Sequence, residues 1–131
     1  MHIVPLYASI LALLFVVLSV RTLRMRRRLK VAIGDAGNQS LLRAMRVHSN
    51  FAEYVPLCLL LVYFVEIRGA NALLVHALAL CLLAGRALHA FGVSQVKENY
   101  AYRVSGMAMT FATLITASAY LVISYARGVG A

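Results

Sequence analysis

Arg43-Ala44-Met45-Arg46-Val47-His48-Ser49-Asn50-Phe51-Ala52-Glu53-Tyr54-Val55-Pro56 leads straight into residues 57–65, a run without charge. Read as a helix, this stretch gathers its polar groups on one side. With Arg43 at zero, Arg46 falls near −60°, Asn50 near −20°, Glu53 near −80° and Tyr54 near +20°, taking about 100° per residue. His48 falls elsewhere, at about +140° on the same count. Two guanidinium groups, an amide, a carboxylate and a phenol on one stripe suit a small zwitterionic ligand or a structural polar network.

The helix carrying this stripe must cross a membrane. Residues 54–65 alone span only about 18 Å, so the crossing extends back through Glu53. Glu66 marks one interface, and Glu53 then lies about 10 Å inside the other. A carboxylate at that depth needs a partner, a wet cleft or a proton. Pro56 is expected to kink this helix or free a carbonyl.

Three further apolar segments complete the chain. The reading is an all-α membrane protein, one domain over residues 1–131, with up-down helices at about 3–28, 40–67, 72–92 and 101–126. Composition agrees: the chain is 63% hydrophobic and 13% charged, with mean hydropathy +0.83. Residues 1–20 carry no Lys, Arg, Asp or Glu, and the basic residues follow that run rather than precede it. This is not the pattern of a typical signal peptide, and it reads as a retained first helix. Residues 31–40 read as a loop, with Asn38 or Ser40 capping the second helix.

The formal net charge is +9, but its placement argues against nucleic acid. Arg21, Arg24, Arg26, Arg27, Arg28 and Lys30 form a juxtamembrane cluster suited to anionic lipid. Lys97 and Arg103 lie on the same side, whereas Arg68 and Arg127 lie on the other. The positive-inside rule therefore puts residues 21–46 and 93–103 in the cytoplasm and both termini outside. Cys58 and Cys81 sit in apolar runs and read as unbridged packing residues. His2, His48, His76 and His89 are dispersed, so no metal site is expected. His76 reads as packing. Gly106, Ala108, Ala112 and Ala119 are expected to let helices approach closely.

On the third helix, Arg86 lies about 21 Å from the outer side, level with Glu53, which predicts a Glu53–Arg86 contact. His89 follows at i+3 on the same face. Arg43, Arg46, Asn50, Glu53, Tyr54, Arg86 and His89 thus form one polar set, with Arg103 nearby. A cleft so lined suits a peptide-like ligand with two carboxylates and one amine. Ser49 is adjacent to His48, but helix neighbours diverge by about 100°, so they form no catalytic dyad.

The run Arg46-x-x-x-Asn50-x-x-Glu53-Tyr54-x-Pro56, with Arg43 before it, resembles the signature of the MAPEG family, the membrane-associated proteins in eicosanoid and glutathione metabolism. Gly85-Arg86-x-x-His89-x-x-Gly92 is similar to the third-helix pattern of its bacterial members. The resemblance covers nearly the whole chain. It implies a left-handed four-helix bundle assembled as a homotrimer, with glutathione between subunits as cosubstrate. Residues matching Arg46, Asn50, Glu53 and Tyr54 would bind it, and a first-helix arginine of the next subunit would assist; Arg24, Arg26 and Arg27 are the candidates. Arg103 is the nearest match to an arginine that stabilises the glutathione thiolate in several members. His89 and Val93 stand where leukotriene-synthase-type members carry tyrosines, and the connection before Arg103 is longer than theirs. The implied activity is a glutathione transferase or peroxidase acting on small lipophilic electrophiles. The other class is a non-catalytic lipid-binding or scaffold protein of the same fold.

Overall fold

A computed structural model describes residues 2–128. They form four helices: α1 (Val4–Leu29), α2 (Gln39–Ile67), α3 (Ala72–Ser94) and α4 (Tyr100–Ala126). All four are long and apolar enough to cross a membrane. The chain runs up and down. The 30–38 and 95–99 connections lie at one end, here the basic end, and the 68–71 turn lies at the other.

Asparagine starts three of the helices. The side-chain oxygens of Asn38, Asn71 and Asn99 accept the amides of Leu41 (2.9 Å), Leu73 (2.8 Å) and Ala101 (3.0 Å). Each satisfies a donor that the first helical turn leaves open. Asn38, not Ser40, caps α2. At α1 the capping position is Ile3, which offers no side-chain acceptor. Glu66, at the far end of α2, serves instead: its carboxylate accepts the amides of Ile3 and Val4, with His2 Nδ1 3.7 Å away. A carboxylate at a helix N-terminus also meets the positive end of the helix dipole. α2 runs on through Pro56, which lacks the amide that would bond the carbonyl of Ala52.

α2 touches all three other helices, whereas α1 and α4 do not meet. Buried side chains divide into two clusters. One, toward the basic end, holds Leu11, Leu18, Val47, Phe51, Val55, Cys58 and Leu82. The other holds Val4, Val62, Val65, Val75, Leu78 and Ala117. Lipid tails are as apolar as leucine, so tight packing rather than water expulsion must hold such helices together. The closest approach is α3 on α4. A Cβ on Gly106 would lie 2.6 Å from the Gly85 carbonyl and 2.8 Å from His89 Cβ. One on Gly92 would lie 2.8 Å from Tyr102 Cβ. These contacts leave no room for a larger residue.

Several expectations change here. Gly106 is used in close packing, but Ala108, Ala112 and Ala119 face outward and take no part in it. His76 is exposed rather than packed and pairs with the Tyr7 hydroxyl at 3.0 Å, because it lies only one turn inside the N-terminus of α3. Cys58 and Cys81, by contrast, are free thiols as their apolar settings predict.

Candidate functional site

The basic end of α2, α3 and α4 opens a small cleft of about 50 Å³. Arg46, Ser49, Asn50 and Glu53 line it from α2, His89 and Val93 from α3, and Arg103 from α4. α2 supplies residues at positions 46, 49, 50 and 53 because three- and four-residue steps keep to one face. The close contact of Gly106 with His89 and of Gly92 with Tyr102 and Arg103 draws α4 against α3. That approach brings His89 and Arg103 to the α2 stripe.

Beneath the cleft lies Arg86, only 1% exposed. Its guanidinium donates to Asn50 Oδ1 at 2.7 Å and lies 3.3 Å from Met107 Sδ. The Tyr54 ring stands 5.9 Å from its Cζ, within cation–π range. Its Nε has no partner. The expected Glu53–Arg86 contact does not form: the amide one turn earlier takes the guanidinium. Depth along the axis is similar for both α2 residues, but Asn50 is turned toward α3 and Glu53 is turned out. Tyr54 also leaves the stripe, packing edge-on against Phe111 of α4 with ring centroids 5.7 Å apart.

Arg43 is engaged within the chain. It donates to Glu98 Oε2 at 2.8 Å and to the Val93 carbonyl at 3.2 Å. Glu98 is 4% exposed, and its Oε1 lies 3.7 Å from Arg103, whose own side chain is 52% exposed. A second cleft of about 230 Å³ adjoins the first, sharing Arg46, Val93 and Arg103 and adding Arg43 and Glu98. Sequence reasoning did not place Glu98 in this set. The available signal was its being one of only four acidic residues in a chain with thirteen Lys and Arg.

Those four acids divide sharply. Asp35 bonds the Gly37 amide at 2.9 Å, Glu66 caps α1, and Glu98 joins two arginines. Of these four acids Glu53 alone has no hydrogen bond or ion pair among the described residues, and Arg46 beside it has none either. Both are exposed. The cleft therefore offers an unpaired cation and an unpaired anion, over a floor that holds a buried guanidinium with no carboxylate of its own. The chemistry of such an arrangement is complementary to a zwitterion, a guanidinium matching a carboxylate and a carboxylate an ammonium.

The first-helix candidates stand apart from this cleft. Arg24 and Arg27 are exposed on α1, and α1 does not meet α4. Arg26 is occupied, donating to the carbonyls of Ala32 (3.2 Å) and Gly34 (3.0 Å) and so holding the 30–38 loop. On the opposite face of α2, His48 Nε2 lies 3.0 Å from Ser19 Oγ, and its ring stacks on Phe15 at 4.7 Å. It takes no part in the polar cleft. Among the described residues no three His, Cys, Asp or Glu side chains gather as metal ligands.

The MAPEG family model matches residues 4–123. Inner membrane protein YecN of Escherichia coli (strain K12) is 38% identical over 110 residues, covering 84% of this chain and 82% of that protein. YecN of Escherichia coli O6:H1 matches with the same identity and coverage. No solved structure matches.

Proposed function

This chain belongs to the MAPEG family, and from that membership and its cleft we propose that it is an inner-membrane protein that binds glutathione and transfers it to, or reduces with it, small lipophilic electrophiles. The observation that carries this reading is the unpaired Arg46 and Glu53 on one cleft. Glutathione has two carboxylates, one ammonium and a thiol. Arg46 takes a carboxylate and Glu53 the ammonium, with Asn50 adding hydrogen bonds and Arg86 a positive potential from below. The thiol then lies toward Arg103. A guanidinium there favours thiolate over thiol, and the thiolate is the nucleophile. It attacks the electrophilic carbon of the second substrate and displaces its leaving group.

A space of about 50 Å³ is well below the few hundred Å³ that enclose a tripeptide-sized ligand. In this reading a neighbouring copy completes the site, in a homotrimer, and contributes a first-helix arginine, Arg24 or Arg27. The charge distribution supports a cytoplasmic cleft with both termini in the periplasm.

A second reading has its own support. Between α1 and α2 runs an apolar groove of about 290 Å³, lined by Leu11, Phe15, Phe51, Val55 and Pro56. It favours a protein of this family that holds a lipid without turning it over.

Glutathione titration of the purified protein in detergent, with thiolate absorbance followed against pH, separates the two. Arg46→Ala is expected to weaken binding about ten- to hundredfold, the worth of a charge-assisted hydrogen bond. Arg103→Ala is expected to bind nearly as well but hold less thiolate at neutral pH and turn over a generic aryl halide more slowly. A wild type that binds glutathione without forming thiolate favours the non-catalytic reading. A wild type that does not bind glutathione ends the first.

A further inference from the structure

One surface is not used by the cleft: the outer face of α1. Leu6, Ile10, Leu13, Val17 and Val20 recur every three or four residues and are all exposed. The same spacing continues to Arg24 and Arg28, which are exposed too. At their junction is a cleft of about 460 Å³, walled by Val17 and Val20 on one side and by Arg21, Arg24 and Arg28 on the other. Arg21 is held there from outside α1: its Nη1 donates to Ser94 Oγ at 2.6 Å, at the C-terminal end of α3. Among the described residues none covers this face, and α4 does not reach α1.

We propose that this face is a binding site for a single anionic phospholipid, its phosphate among Arg21, Arg24 and Arg28 and one acyl chain along the Val20–Val17–Leu13–Ile10 stripe. The dimensions agree. Ile10 to Arg24 is about 21 Å at 1.5 Å per residue, enough to run from the headgroup level through one leaflet of about 15 Å. The charge agrees as well. Three guanidinium groups share this face, and the acids that might neutralise them lie elsewhere: Asp35, Glu66 and Glu98 are engaged within the chain and Glu53 faces the polar cleft. A second copy laid on the stripe in two-fold fashion would set arginine against arginine. A phosphodiester accepts the forked hydrogen bonds that arginine donates, and its tail lies along apolar side chains of a membrane-capable helix. The assignment is independent of glutathione. It places Arg24 with the lipid and leaves Arg27, which does not line this cleft, as the guanidinium free to reach a neighbouring copy.

The test is native mass spectrometry of the full-length protein in mild detergent, titrated with phosphatidylglycerol or phosphatidylcholine of matched chains. Wild type is expected to retain phosphatidylglycerol preferentially. At about fivefold per arginine, Arg24→Gln and Arg28→Gln together should weaken retention about twenty-five-fold. Arg27→Gln removes the same charge one turn away and should change retention less than twofold. All three positions are exposed, and thermal melts of the variants should match wild type. Glycerol 3-phosphate, the headgroup without a chain, should not compete at millimolar concentration. Equal retention of the two lipids overturns the proposal. So does a loss in Arg27→Gln equal to that in Arg24→Gln alone, which would mean bulk charge rather than a site, or competition by the soluble phosphate. Efficient disulfide formation between two copies of Leu13→Cys would show a protein neighbour on the stripe and would overturn it also.

Discussion

Glu53 and Glu66 sit on one helix, thirteen residues apart, and do opposite things. Glu66 is enclosed by its own chain: two backbone amides of α1 end on its carboxylate. Glu53 faces an open cleft with no partner. An acid in a membrane span is tolerated only with compensation. Glu66 finds it in a helix terminus that lacks a cap of its own. Glu53 is left to find it in a ligand or a neighbouring copy. A carboxylate closed off by its own fold reads as architecture, and one left open in a cleft reads as recognition.

The strongest way to break that contrast is to remove Glu66. Glu66→Ala strips acceptors from two amides at once and should lower stability by about 3 kcal/mol, at about 1.5 kcal/mol per charge-assisted bond. Reversible unfolding in a denaturing-detergent titration measures it. If the variant is as stable as wild type, water caps α1 and the architectural role fails.

Asn50 lies between the two cases, holding the buried Arg86 while lining the cleft. Asn50→Leu leaves that guanidinium without its oxygen partner and should cost about 2 kcal/mol. It should weaken glutathione binding too, in the same preparation. A loss of binding without a loss of stability would move Asn50 wholly to the recognition side.

Glu53→Gln should have the smallest effect on folding, within about 0.5 kcal/mol, while weakening glutathione binding about tenfold. A large stability loss in the isolated chain would reveal a structural partner and erase the contrast. A stability loss that appears only as the protein concentration rises would instead locate that partner on another copy.

Much of this was legible beforehand. Apolar runs bounded by Asn38, Asn71 and Asn99 specify the helices within a residue or two at every end, because length and capping are local properties. The largest departure is at α3, which continues two residues past 92, to Ser94. The set Arg46, Asn50, Glu53, His89 and Arg103 was legible in type. Arg46, Asn50 and Glu53 share one helical face by spacing alone, Arg103 was placed nearby at the start of the fourth helix, and the family resemblance supplied only its role toward a thiolate.

What remained hidden depends on how helices turn toward one another. The rise per residue gives depth along an axis, and it put Arg86 level with the α2 acid. It says nothing of azimuth, which the α3–α4 contact at Gly85 and Gly106 helps to set, and on that azimuth Arg86 meets Asn50. Glu98 and Arg43 lie 55 residues apart, and Glu66 lies 62 residues from Val4. No local pattern announces such pairs.

By itself, then, the sequence determined the four membrane-capable helices, their alternation and the chemistry available at the basic end, since periodicity, length and charge act over one or two turns. Only the tertiary structure decided which charges are satisfied and which are left over. That outcome depends on distances between side chains on different helices, and such distances exist only once the helices have packed.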